Sequence, residues 1–274
     1  MTGANVVFAF NDVWLRRVAD DLGLLPALWA RALLFLVIML LVTGAAERRA
    51  ALATPRPALQ FVRALCPLAG SILMLAAMGM IPVADATAMF FLSPLLASLL
   101  AMRLLHEKMD AARWLALALG FAGMLVIVQP GRGLFQWGHV WALTCAGVIA
   151  CYQIFTVFVT RHASAKTTLL WMAAIATALL SLALPFAWKA PTLLQWLEIA
   201  ATALLYAVGH GMYIKAHARA EATRLAPLVY TQLFGTVSAG LLFYGQTPQL
   251  YTAIGATLIA SGGCIVLLRR RRSP

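Results

Sequence analysis

Stretches such as "LLFLVIMLLV", residues 33–42, recur along this chain with no charge inside them, and they decide which solvent it folds in. A segment of roughly 20 apolar residues spans a bilayer as a helix. Lipid offers backbone N–H and C=O groups no partners, so a spanning segment must satisfy them within a helix or a closed barrel. Composition agrees: 63% of residues are hydrophobic and 11% are charged, against roughly 25% charged in a soluble domain. The expected fold class is an all-α integral membrane protein.

Charge clusters and Gly/Pro turns cut the apolar runs into ten expected helices, near 3–19, 27–46, 62–80, 84–104, 111–129, 138–159, 167–187, 194–215, 222–243 and 249–268. The first is the weakest, because "NVVFAFNDVWLRRVADD" is apolar only from Val6 to Phe10. Connections such as "GMIPVADA" and "FYGQTPQ" are short, which predicts one compact bundle. The N-terminus has neither a basic n-region nor a small-residue cleavage pattern, so no cleavable signal is expected. The formal charge of +12 does not point to nucleic acid, since the basic residues fall in short clusters between apolar runs. With the N-terminus in the cytoplasm, 16 of the 21 Lys and Arg side chains fall in inside loops, Arg63 among them. That asymmetry predicts a bacterial-type inner (plasma) membrane protein with both termini cytoplasmic. Cys66, Cys145, Cys151 and Cys264 lie in apolar runs without metal-ligand spacing and read as packing residues. No cofactor or metal is expected.

A shift of 139 residues lays "ASLLAMRLLHEKMDAARWLALALGFAGMLVIV" (97–128) over "TVSAGLLFYGQTPQLYTAIGATLIASGGCIVL" (236–267) without a gap. Gly123 then meets Gly262, and Glu107 meets Gln246 in a turn between helices. Five spans per half is an odd number, so the second half would enter the membrane from the opposite side. The expected organisation is two inverted five-helix repeats, 1–133 and 134–274. Transporters with such repeats place their substrate site near the midplane, where the halves meet.

These segments resemble the EamA-type, ten-helix drug/metabolite transporters. "SPLLASLLAMRLLHEKMDAARWLALALGFAGMLVIVQPG" (93–131) is similar to the first-repeat signature of that family. "GHGMYIKAHARAEATRLAPLVYTQLFGTVSAGLLFYGQTPQLYTAIGATLIASGG" (209–263) resembles the second repeat, including Gly209–His210, Ala226–Pro227, Tyr230 and Gln232. "FAFNDVWLRR" looks like the family's first helix, with Asp12 followed by Arg16, and "LWARALL" carries the second-helix arginine as Arg31. The resemblance implies a transporter and suggests export of amino acids, other metabolites or drugs.

Ionisable groups inside a membrane default to functional hypotheses. Asn5, Asp12 and Arg16 share one face of the first helix. Asp12 is either a counter-charge for an ammonium or a proton carrier, or it is neutralised by Arg16 four residues on. Arg31 either clamps a substrate carboxylate or snorkels to the surface. Tyr206, His210, Tyr213 and His217 recur at steps of four, three and four, which puts them on one side of the eighth helix. That stripe either binds a ligand or satisfies itself between helices. Trp141, Cys145, Tyr152 and Thr156 form a similar face on the sixth helix, where packing is the plainer reading.

Pro94 and Pro227 interrupt the fourth and ninth helices, and the backbone groups they free need partners from a neighbour or a cavity. Tyr230 is expected to line that cavity, with Gln232 bonded to an adjacent helix or at the cavity rim. Ala112, Ala116 and Gly120, and likewise Ala256, Ala260 and Gly263, read as seams where helices approach closely. The expected substrate-binding set is therefore Asp12, Arg31, Tyr152, Tyr206, His210, Tyr213, Tyr230 and Gln232.

The function expected is a carrier, not an enzyme, exporting a small amphiphilic solute (an amino acid, amine or aromatic compound) by alternating access. Protons are the candidate coupling ion, and the protein is expected as a monomer or homodimer in the bilayer. An integral-membrane enzyme acting on a lipid-soluble substrate is the alternative, but "LLHEKMD" lacks the second His of an H-E-x-x-H zinc site. A channel-like facilitator would need a continuous polar lining rather than a few scattered groups.

Overall fold

The computed structural model describes residues 2–54, 56–105, 111–129, 136–219 and 232–270. Regular structure among them is helical throughout: α1 (Thr2–Leu22), α2 (Leu24–Val42), α3 (Ala45–Leu52), α4 (Pro57–Met78), α5 (Val83–Phe90), α6 (Ser93–Leu105), α7 (Ala111–Val128), α8 (Trp137–Thr160), α9 (Ala165–Ala183), α10 (Leu193–Arg219), α11 (Gln232–Tyr244) and α12 (Leu250–Arg270). A 3-10 turn, Leu184–Phe186, extends α9. Among the described residues, six segments are long and apolar enough to cross a membrane: Leu24–Val42, Pro57–Met78, Val83–Leu104, Trp137–Thr160, Ala165–Phe186 and Leu193–Arg219. Shorter apolar helices lie at Ala118–Ile127, Gly235–Tyr244 and Leu250–Gly262. The chain is a multi-pass membrane protein.

Local sequence sets several of these boundaries. Gly23 takes φ +97, a conformation open to glycine at little cost, and so reverses the chain between α1 and α2 in a single residue. The fourth apolar run is two helices, because Phe91 and Leu92 form a turn before Ser93. Pro94 then sits in the first turn of α6, where its missing N–H has no intrahelical role. Gly245, at φ +62, closes α11. Its N–H bonds back to Leu241 O and that of Gln246 to Gly240 O, a helix-terminating arrangement that favours glycine.

The amphipathic helix α3 is not among the ten helices expected from hydropathy. Its segment "AAERRAAL" is too polar to register, yet Glu47 accepts a hydrogen bond from the Gly44 N–H at 2.9 Å and caps it. Glu47 also meets Lys166 at 2.9 Å, and the Lys166 hydrogen bond holds its carboxyl below the usual glutamate range. The Trp171 Nε1–H donates to Ala51 O at 2.9 Å, so α3 is fastened along α9.

Helices from the two ends of the chain interleave. α4 lies against α8, α7 against α12, α1 against α10 and α11, and α2 against α9 and α10. The backbones of α7 and α12 approach closely, since a Cβ on Gly123 would stand 2.5 Å from the Gly255 carbonyl oxygen. Of the expected seam residues, Gly120 does sit at a close approach, but to a helix other than α12. Gly120 faces Leu95 of α6, and the α12 partner is Gly255. Around the crossing of α1, α4, α8 and α10 the packing opens into a cavity.

Candidate functional site

Together with the open space at its mouth, the cavity comprises about 670 Å³ between atoms. Each helix contributes residues at helical spacing: Asn5, Phe8 and Asp12 from α1; Pro67, Gly70, Ser71 and Met74 from α4; Cys145, Ile149, Tyr152 and Gln153 from α8; Tyr206, His210 and Tyr213 from α10. Gln232 of α11 and Phe90 of α5 complete the wall. Gly70 keeps α8 close, since a Cβ there would stand 2.8 Å from Ile149 Cδ1.

Aromatic rings dominate one side. Phe8 lies 4.6 Å from His210 and 6.1 Å from Tyr213 between ring centroids. Tyr206 meets His210 at 4.3 Å, and Tyr152 stacks on Tyr213 at 5.5 Å. His217, at the far end of the α10 stripe, packs on Tyr213 at 4.2 Å, and its Nδ1–H donates to Tyr213 O at 3.0 Å. The four residues of the stripe thus form a continuous run of buried ring contacts, largely edge-on, with three of them in the cavity wall.

Two buried arginines frame these rings. Arg31 is 4% exposed and does not snorkel. Its guanidinium lies 4.2 Å above the Tyr206 ring, Nη2 donates to Ser71 Oγ at 3.0 Å, and Nη1 stands 4.0 Å from Asp12 Oδ1. Asn11 Nδ2 donates to the same carboxylate oxygen at 3.2 Å. Asp12 therefore faces Arg31 rather than Arg16, which pairs with Asp20 instead. The second arginine is Arg63, expected in a cytoplasmic loop cluster but fully buried within α4. Its Nε donates to Thr156 Oγ1 at 3.1 Å and its Nη2 to the Tyr152 hydroxyl at 2.9 Å.

Tyr152 connects this arginine to the cavity. Its hydroxyl is 3.0 Å from His210 Nδ1. Arg63 donates to the phenol oxygen, and the phenol proton can go to Nδ1 or to Met172 Sδ, 4.0 Å away, so Tyr152 can hold His210 in either neutral tautomer. His210 is then a neutral donor held in place by Tyr152.

The structure brings Asp12, Tyr152, Tyr206, His210, Tyr213 and Gln232 into one wall. Arg31 stands behind Tyr206, lining a smaller neighbouring cavity with Phe35 and Met172. Pro94 lies in the packed core and does not line either cavity. Tyr230 and Pro227 lie outside the described residues. Sequence reasoning did not single out Phe8, Ser71 or Arg63. Phe8 precedes Asp12 by four residues, so the face of α1 that carries Asp12 already pointed to it.

The profile of the EamA-like transporter family matches residues 1–129 and again residues 136–268. The chain belongs to the EamA-like transporter family. This EamA-like chain is 29% identical over 229 residues to a riboflavin transporter of Rhizobium johnstonii, covering 82% of this chain and 76% of that one. It is 26% identical to an S-adenosylmethionine uptake transporter of Rickettsia prowazekii, over 98% of this chain and 91% of the relative. A solved crystal structure of a protein superposes with a TM-score of 0.68 at 20% identity, covering 99% of both chains, which is a likeness of fold. The EamA-like chain is a transporter rather than an enzyme.

Proposed function

We propose that this EamA-like transporter is a carrier for a small amphiphilic metabolite with a flat aromatic or heteroaromatic part, moved by alternating access. One observation carries the reading. A cavity walled by Phe8, Tyr152, Tyr206, His210 and Tyr213 is built jointly by helices of both matched segments, α1 and α4 from one, α8 and α10 from the other. Rocking the segments against each other would open it to either side. In this reading the chain makes ten crossings, as two inverted five-helix repeats over 1–133 and 134–274, in an inner membrane with both termini cytoplasmic.

The relatives support the solute class, since riboflavin and S-adenosylmethionine both combine a fused heteroaromatic ring with a polar chain. One of these two is named for uptake, so the export expected from the resemblance is not part of the proposal. Counterflow in proteoliposomes is indifferent to the direction of net flux and is the decisive measurement. Vesicles loaded with unlabelled riboflavin or S-adenosylmethionine should accumulate the labelled compound transiently. His210→Ala should cut that exchange at least about tenfold at equal reconstitution. Undiminished exchange in His210→Ala would falsify this site assignment.

A further inference from the structure

Arg63 raises a question that the carrier reading leaves open. Among the described residues no carboxylate lies within ion-pair distance of it. Nε and Nη2 are taken by Thr156 and Tyr152, while Nη1 has no partner although the residue is fully buried. Gln60, one helical turn earlier on the same face of α4, is 1% exposed and has neither amide atom hydrogen-bonded. Nη1 of Arg31 is likewise without a hydrogen-bond partner, and Asp12, 4.0 Å away, is its ion-pairing carboxylate.

The described ionised groups around the cavity are thus two guanidiniums and one carboxylate. Isolated charges and unpaired amides are strongly disfavoured in a low-dielectric interior, and a polar group retained within a membrane marks a solute or ion path. Packing alone would not require a guanidinium here, because an apolar side chain of similar volume could fill the space between α4 and α8. The Arg63 guanidinium lies over the Tyr152 ring, 4.7 Å from its centroid, so its charge stands directly behind the wall that Tyr152 forms.

We propose that Arg63 is the specificity-determining anchor for an anionic group, carboxylate or phosphate, on the transported solute, with the Gln60 amide as a further donor. Arg63 and Ser71, the residue that holds Arg31, are separated by about 12 Å along α4 at 1.5 Å per residue. Neither Arg63 nor Gln60 lines the cavity in this structure, so the anion reaches them past the Tyr152 side of the wall, and the ring of the solute lies against His210, Phe8 and Tyr206. This inference rests on the carrier reading and adds to it the charge of the solute.

The test compares matched pairs on the purified full-length protein in detergent, by titration calorimetry. Indole-3-acetate against indole-3-acetamide probes a carboxylate, and flavin mononucleotide against riboflavin probes a phosphate. At least one acid should bind about tenfold more tightly than its neutral partner. Arg63→Met should reduce that ratio to about one while the protein still folds, and Arg63→Lys should keep most of it. A purely structural Arg63 would leave the ratio unchanged in Arg63→Met. That result, or acids that bind no better than their neutral partners or not at all, overturns the proposal. The carrier reading is judged separately by counterflow, so either can fail while the other stands.

Discussion

At the scale of single residues, Tyr152 is where the polar and aromatic features of the cavity meet. Its hydroxyl accepts from Arg63 and reaches His210, and its ring stacks on Tyr213. Tyr152→Phe keeps the ring and removes only the hydroxyl, so two buried polar groups lose a partner at once. Leaving a buried donor or acceptor unsatisfied costs about 1–3 kcal/mol. The variant should unfold earlier in detergent by about that amount and should lose roughly tenfold in counterflow, because the orientation of His210 is no longer held. A variant that melts and exchanges like the parent would mean that the hydroxyl network is inert. Tyr152 and the α10 stripe were legible in the sequence because polar residues at steps of four and three on an apolar helix must share a face. Arg63 was not. It opens an apolar run seven residues after Arg56, and a basic residue at that position reads as a loop boundary. Its partners come from α8, some ninety residues away, and only the fold brings them together.

At the scale of helices, the α7–α12 contact depends on two residues that have no side chain. A Cβ on Gly123 would stand 2.5 Å from Gly255 O, and one on Gly255 would stand 2.6 Å from Gly123 O. Both obstacles are backbone, which cannot rotate away as a side chain could. Gly123→Val should therefore push the helices apart. Overpacking of this kind costs about 1–3 kcal/mol, read as a lowered unfolding temperature of the purified protein. Gly147 has open space where its Cβ would be, so Gly147→Ala is an unobstructed comparison and should melt no lower than the parent. Equal melting of Gly123→Val and the parent would show that α7 and α12 are not held this closely. The six candidate spans among the described residues were legible from hydropathy because lipid selects on length and apolar content. The break before Ser93–Pro94 was legible as a disturbance but not as two helices. The helix α3 was invisible, because it is held by Glu47, Lys166 and Trp171 rather than by hydropathy.

At the scale of the whole molecule, the orientation of the two matched segments decides whether the cavity can serve both sides of the membrane. If each segment crosses five times, Arg48 and Arg49 of α3 share a side with Lys166, and Lys189 faces the other side. The structure sets strong contacts at both ends. Near Lys189, Lys189 Nζ donates to Asp21 O, the Tyr244 hydroxyl donates to Asp20 at 2.7 Å, and Gln246 Oε1 accepts from the Val83 N–H at 3.1 Å. Near Arg48, Glu47 binds Lys166. A bilayer that retains positive charge on its cytoplasmic side should hold Arg48, Arg49 and Lys166 inside and expose Lys189 outside. Cysteines introduced singly at Arg49 and at Lys189 test this, with Cys66, Cys145, Cys151 and Cys264 replaced by Ala or Ser. In intact cells a membrane-impermeant maleimide should label the Lys189→Cys variant, and should reach the Arg49→Cys variant only after permeabilisation. Labelling of both from outside would put α3 and the α9–α10 connection on one face. That would require an even number of crossings between them, and the two matched segments could not then be inverted copies around one chamber.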